Sequence, residues 1–131
     1  MFFLFFFSII KAIGDNMNKE LIISTYEEDT LLFKENLLGR LENNILKYEN
    51  DTDSFLINLN ESTMQKENLD SILKITPNQA TLSLKEIEKS FEIELKKQIF
   101  LKNKNRIIIE YLLESQEKPI KIEIEMSDID A

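Results

Sequence analysis

The chain has 131 residues and a formal net charge of −8, with 43% hydrophobic and 31% charged residues. This size and composition are those of one soluble globular domain. Because Cys, His and Trp are absent, a disulfide framework, a thiolate nucleophile, a soft-metal site and a histidine-based triad are excluded. The acidic balance, without a basic stripe that carries interleaved aromatic residues, predicts that the chain does not bind nucleic acid.

The first sixteen residues differ from the rest. Residues 2–10 are an apolar run, shorter than the roughly 20 residues that span a bilayer, so we predict no stable membrane span. No basic residue precedes the run and Lys11 follows it, which fits a secretory signal poorly. We interpret residues 1–16 as an apolar leader outside the mature product, with Met17 as the true start; an export signal and an interfacial anchor are the alternatives. Residues 17–131 are then one cytoplasmic domain, whereas a real signal would make the protein exported.

After residue 19 the pattern predicts a succession of short strands. Leu21 and Ile23 share one face of the first, over residues 20–26. Residues 30–41 fit two structures, because their leucines match a helical stripe as well as a strand row, while Gly39 in mid-pattern argues against a helix. The residues themselves leave both structures open.

Turn signals separate the remaining elements. Asn and Asp favour turns because their side chains bond the local backbone, and they cluster at Asn43-Asn44 and in residues 49–53. Pro77-Asn78 predicts a tight hairpin turn, and the polar residues 61–70 predict a loop. Strands are expected over residues 55–59, 71–75, 80–84, 91–101, 106–114 and 120–126.

The last strand carries the clearest pattern. Ile120, Ile122, Ile124 and Met126 alternate with charged residues, so one face of the strand is buried and the other is wet. Short strands with short connections indicate neighbouring antiparallel pairs. We therefore predict an all-β fold, an antiparallel up-and-down barrel of about seven to nine short strands.

Several of these segments together resemble the uncharacterised bacterial YwiB-like family. The resembling stretches are Leu37-Leu38-Gly39-Arg40-Leu41, residues 55–62, the hairpin of residues 72–75 and 82–84, residues 107–113, and the terminal Ile-Lys-Ile-Glu-Ile strand. The resemblance implies a calycin-type (lipocalin-like) β-barrel, a strand over residues 30–41, and no established activity. Residues 85–90 depart from the family, which usually places a further strand there, so whether the barrel closes completely stays open.

No pattern of side chains indicates catalysis or metal binding. The pair Asp51-x-Asp53 resembles the start of a calcium loop, but the required Gly is missing and Ser62 stands where the ligand Glu should be, so we interpret a solvated turn. With two glycines in the chain, a phosphate-cradling loop is excluded. We predict a non-enzymatic protein without catalytic residues, bound metal or cofactor.

Two inward positions are the candidates for ligand contact. In the alternating row from Leu31 to Leu41, Glu35 falls among apolar residues, and a buried carboxylate needs a partner. It is either a polar anchor inside the barrel or, as the favoured interpretation, turned to solvent by a β-bulge. Tyr111 could offer its hydroxyl to a ligand from the inner face, although we expect a core position with the hydroxyl at the rim.

Two functions stay open. A small barrel is either filled by side chains or holds one small molecule. The protein is therefore expected to bind a small apolar ligand in the barrel, or else to be a non-enzymatic interaction or structural accessory module that engages a protein partner through a strand edge or its acidic face. The barrel resemblance favours the ligand slightly. An apolar cavity of about 300 Å3 or more would support the ligand, and a packed interior would support the partner.

Overall fold

A computed structural model of the chain describes residues 17–129, and the interpretation of residues 1–16 as a leader lies outside them. Every regular element in the described range is a strand. In chain order they are β1 Asn18–Glu27, β2 Thr30–Glu42, β3 Ile45–Glu49, β4 Ser54–Asn58, β5 Thr63–Glu67, β6 Ser71–Ile75, β7 Ala80–Leu84, β8 Lys89–Ile93, β9 Leu95–Asn103, β10 Arg106–Leu113 and β11 Ile120–Asp128.

The all-β prediction is confirmed, but the predicted number of strands is too low. The described residues form 11 strands. The polar residues 61–70, predicted as a loop, contain β5, and the predicted strand over residues 91–101 is divided into β8 and β9. Residues 30–41, for which a helix was the alternative and the resemblance implied a strand, are strand throughout. The prediction of a loop over residues 61–70 relied on their polar composition, but a short strand with one solvent-exposed face needs few apolar residues.

The strands form one antiparallel sheet in the order β8-β7-β6-β5-β4-β3-β2-β1-β11-β10-β9. Neighbours in this order follow each other in the chain, except that β1 pairs with β11. Two arms result, one from β1 to β8 and one from β9 to β11, and the β1–β11 ladder joins them. The order is that of an up-and-down meander, as predicted.

The two ends of the sheet are halves of one chain segment. β8 pairs with β7, and β9 pairs with β10. Between them the Glu94 carbonyl accepts a hydrogen bond of 2.9 Å from the Glu114 amide, so the chain passes there from the first arm to the second. Across the remaining seam, the Gln98 side chain donates to the Ser62 carbonyl at 3.4 Å. The barrel is therefore nearly closed.

The core lies on the inner face of this sheet. Four inward side chains of β10 are buried as predicted, Ile107, Ile109, Tyr111 and Leu113, and so are Ile122, Ile124 and Met126 of β11. Leu21, Ile23, Leu46, Ile57, Met64 and Ile75 continue the core around the first arm. Within the described residues, no polar or charged residue is buried to the same degree.

The predicted turns are confirmed where Asn leads them. Asn43 and Asn44 have φ angles of 54° and 63°, the left-handed pair that a two-residue hairpin requires. The Asn50 side-chain oxygen accepts hydrogen bonds from the backbone of Thr52 at 3.0 Å and Asp53 at 2.8 Å. The Asn50 side chain thus bonds the backbone of the β3–β4 turn, which is the turn chemistry predicted for residues 49–53.

Alanine substitutions at two adjacent residues of β11 test which face of the strand is buried. Ile124 is fully buried opposite Ile23 and Ile107, so Ile124→Ala should lower the free energy of unfolding by about 2–5 kcal/mol. Glu123 lies on the wet face and contacts Arg106 at 3.2 Å and Lys121 at 3.8 Å; since exposed ion pairs contribute little, Glu123→Ala should cost less than about 1 kcal/mol. Urea denaturation of both variants measures this, and a larger loss at Glu123 would contradict the register.

Gly39 of β2 is required by packing. A Cβ there would lie 2.5 Å from the Leu21 Cδ1 atom and 3.1 Å from the Lys47 carbonyl oxygen. We expect Gly39→Ala to destabilise the fold by about 1–3 kcal/mol through overpacking. Leu21→Val shortens the clashing side chain, so the double variant should be more stable than the sum of the two single losses predicts. Strict additivity in chemical denaturation would show that Leu21 is not the obstacle.

Candidate functional site

Strand β2 is paired along one side only for much of its length. It pairs with β1 from Thr30 to Arg40 but with β3 only from Gly39 to Glu42. Within the described part of the chain, residues 30–38 therefore lack a strand partner on the β3 side. The β3–β4 turn approaches this side at Glu35, where the Asn50 amide donates at 3.1 Å. Residues 30–34 extend beyond that contact, and we call them the open edge.

The open edge is apolar and exposed. Leu31 and Leu32 are each 50% exposed and Phe33 is 47% exposed. The register between β1 and β2 shifts at Thr25/Tyr26, so that Phe33 lies opposite Thr25 and Leu31 opposite Tyr26. The prediction that Leu31 belongs to the inner row is therefore wrong, because this β-bulge moves it to the other face.

The other ends of the sheet differ from the open edge in composition. β9 carries Lys96, Lys97 and Lys102 along its length, and β8 begins with Lys89. Lysine on an edge strand is a common protection against pairing with another chain. The open edge has one charged residue, Lys34, after three consecutive apolar residues, whereas β8 has two charged residues, Lys89 and Glu92, and β9 has three. The open edge therefore has the fewest charges among these edges.

Two grooves lie on the outer face beside β2. One, of about 730 Å3, is lined partly by Leu38, Arg40 and Leu56. The second, of about 280 Å3, is lined partly by Ile22, Asn36 and Leu38. Leu38 belongs to both and is 70% exposed. The outer face of β1 and β2 thus adds apolar surface to that of the open edge.

Glu35 lies in the inner row of β2, opposite the buried Ile23. The Asn50 amide donates to both of its carboxylate oxygens, at 3.1 and 3.4 Å. The favoured interpretation, in which a bulge turns Glu35 outward, is therefore wrong, since the bulge lies nearer the start of β2. Asn50 is the polar partner that a carboxylate at this position requires.

An aromatic pair lies beside Glu35. Tyr48 stacks on Phe55 with a ring-centroid distance of 4.7 Å, and the Lys66 ammonium lies 6.0 Å from the Phe55 ring centroid. Burial raises the pKa of Tyr48, and the Glu35 carboxylate raises that pKa further. The Tyr48 side chain is 5% exposed, and its hydroxyl has no hydrogen-bond partner among the described residues. This is an unusual state for a buried hydroxyl.

Tyr111 occupies the core position that was expected of it. It pairs with Ile120 on one side and Gln98 on the other, it is 6% exposed, and burial raises its pKa. Glu35 contacts Asn50 and raises the Tyr48 pKa, whereas no contact joins Glu35 to Tyr111 among the residues described. The two predicted ligand candidates are thus not brought together.

The sequence interpretation missed the open edge. The signal was present as Leu31-Leu32-Phe33, three consecutive apolar residues that break the two-residue period. Such a run marks either a fully buried strand or an exposed apolar segment. Nothing local distinguishes the two, because the missing partner is a property of how far β3 extends.

Comparisons with protein-family models, curated proteins and solved structures gave no match to this chain. The YwiB-like resemblance therefore stays a prediction. Among the described residues, no group of three or more Asp, Glu, His or Cys side chains is placed to hold a metal ion. No helix in the described range is long and apolar enough to cross a membrane.

Alkaline pH should reveal the buried hydroxyl of Tyr48. Its pKa is raised in the folded state, so in the unfolded chain it ionises first, near its ordinary value of about 10. Its contribution to stability is complete below about pH 10 and is lost as the pH rises towards the folded-state pKa, by up to about 1.4 kcal/mol per pH unit. Urea denaturation between pH 8 and pH 11 should give a shallower decline for Tyr48→Phe than for the wild type. Identical declines would contradict the raised pKa.

Proposed function

We propose that the protein is a non-enzymatic interaction module that engages a protein partner through the open edge of β2. The observation that carries the proposal is the run Leu31, Leu32 and Phe33, about half exposed on a stretch of β2 that has no strand partner on the β3 side among the described residues. An unpaired edge offers backbone donors and acceptors to an added strand, and side chains beside it supply affinity.

The packing of the barrel interior supports a partner over an enclosed ligand. Leu46, Ile57, Ile107, Ile109 and Ile124 are all 0% exposed, and side chains fill the interior at these positions. The two grooves beside β2 have outward side chains in their lining, among them Leu38 and Leu56. Concave apolar surface is thus found outside the barrel, where a partner chain has access.

The assignment to a calycin-type barrel is part of the same proposal. The consecutive strand order and the near closure of the sheet support it. Residues 85–90 depart from the family pattern. The segment from Lys89 to Asn103 forms β8 and β9, the two end strands of the sheet, and so provides strand pairing at this point. The strand order and the near closure are both shared by other meander barrels, so the proposed function does not depend on the calycin assignment.

A second candidate, a small ligand bound at the inner row near Glu35, is favoured by one observation. The Tyr48 hydroxyl is buried without a partner among the described residues, and a ligand acceptor would satisfy it. Native mass spectrometry of the chain purified from its own cells tests this candidate. A small molecule that remains bound to the wild type and is lost from Tyr48→Phe would support it, whereas the free mass alone would exclude it.

A charge placed on the open edge should remove the partner. Leu32→Lys gives the edge the protection that β9 already has, and Leu69→Lys, in the β5–β6 turn at a residue that is 92% exposed, is the matched control. We expect crosslinked partners recovered from the source cells with the wild type and the Leu69→Lys variant to be missing from Leu32→Lys. Because both sites are exposed, both variants should keep the wild-type stability within about 0.5 kcal/mol. Equal recovery with all three proteins would refute the use of this edge.

A further inference from the structure

Acidic residues lie at both ends of the open edge. At its first end lie Glu27, the last residue of β1, and Glu28 and Asp29 of the β1–β2 turn, all exposed. The β3–β4 turn contains Asp51 and Asp53 and contacts Glu35 of β2 through Asn50. Among the described residues, none of these six carboxylates forms an ion pair. The open edge is therefore an apolar centre between two acidic ends.

We propose that the segment which adds to this edge has an apolar centre and basic residues on both flanks. The inference rests on the proposed function and adds the chemistry of the partner. Five residues of strand span about 17 Å, so a short extended segment covers the open edge, and its flanks then lie beside the acidic turns. Lysine or arginine at those flanks meets carboxylates that form no ion pair among the described residues.

A second copy of the chain fits this edge poorly. In an antiparallel pairing of two open edges, the Thr30 end of one copy lies against the Lys34 end of the other. The turn containing Glu28 and Asp29 is then brought towards Glu35 and the Asp51 turn of the second copy. Each chain carries a net charge of −8, so like charges meet at both ends of the pair and oppose it.

Three synthetic peptides, each added to the full chain, test the proposed preference for basic flanks. They share an alternating Val-Thr-Val-Thr-Val centre and carry two lysines, two serines or two glutamates at each end. At low salt we expect the lysine-flanked peptide to bind about tenfold more tightly than the serine-flanked one, with a smaller difference at physiological salt because the acidic turns are exposed. The glutamate-flanked peptide should bind most weakly. Fluorescence anisotropy of labelled peptides measures all three.

Variants of the chain separate the edge from its charges. Leu32→Lys should weaken the serine-flanked peptide as well as the lysine-flanked one, while Leu69→Lys should leave both unchanged. The double variant Glu28→Gln/Asp29→Asn should weaken the lysine-flanked peptide several-fold and leave the serine-flanked peptide unaffected. This pattern distinguishes pairing at the edge from attraction of cations to an acidic surface.

Each other outcome overturns the inference in a distinguishable way. Equal affinity for lysine and serine flanks would refute the proposed preference for basic flanks and would leave strand addition in place. Lysine-dependent binding that Leu32→Lys does not change would place the peptide elsewhere. A dimer in sedimentation velocity that Leu32→Lys dissociates would show a second copy at the edge. If no peptide binds the monomeric chain, the edge is covered by another part of the chain or rejects added strands, and both the inference and the strand-addition mode of the proposed function fail.

Discussion

The pairing of β1 with β11 is the constraint on which the rest of the structure depends. It runs in register from Lys19 opposite Asp128 to Glu27 opposite Ile120, and it joins strands from the two ends of the described chain. Every other ladder connects strands that follow each other in the chain. Hairpins close short loops, whereas this ladder must close a loop of nearly the whole domain, so its entropic cost is the largest in the fold. Ile23 opposite Ile124, both almost fully buried, and Leu21 opposite Met126 contribute buried apolar contacts that oppose that cost.

The open edge follows from this constraint through the lengths of the strands. β1, β2 and β11 have 10, 13 and 9 residues, and the long β1–β11 and β1–β2 ladders keep them extended together. The strands from β3 to β8 have five residues each. A long strand beside a short one leaves part of its edge unpaired, and β2 is the strand at which long meets short. The surface proposed for a partner is thus a consequence of how the barrel is assembled.

The position of Glu35 links the core to this surface. Its carboxylate faces inward, yet Glu35 is only partly buried. The β3–β4 turn supplies Asn50 as the hydrogen-bond partner of this carboxylate. From Glu35 towards Glu42 the inner row is apolar, whereas from Glu35 towards Thr30 the only strand paired with β2 in the described range is β1. The polar contact therefore marks where the packed barrel ends and the open edge begins.

Period-two patterning was enough to predict much of the fold. The alternating apolar residues of β10 and β11 are buried as predicted, namely Ile107, Ile109, Ile122 and Ile124. The prediction works because successive side chains on a strand point to opposite faces, so apolar and polar residues alternate in the sequence. The split at Glu94 could not be predicted from the local pattern, since the Glu94 carbonyl accepts its hydrogen bond from the amide of Glu114, the residue that follows β10.

The outcome at the site was different. Glu35 was correctly singled out as the residue that breaks the inner row, but its inward direction depends on its register opposite Ile23 of β1 and on the contact with Asn50. The exposure of Leu31 and Phe33 depends on where β3 ends, which no local pattern states. The burial of residues on fully paired strands could be predicted from the sequence. The exposure of residues on the unpaired part of β2 could not, because it depends on the length of a different strand.

Residue-resolved amide hydrogen exchange of the free full chain tests the central claim most directly, because it reports whether each backbone N–H of β2 is hydrogen-bonded. An open edge predicts alternation over Thr30–Lys34, with the amides that face β1 protected and those that face away exchanging at nearly unprotected rates. From Gly39 to Glu42, where β3 pairs with β2, successive amides should be protected without alternation. Uniform protection from Thr30 to Glu42 at concentrations where the chain is monomeric would contradict the account, since it would mean that the edge is already occupied.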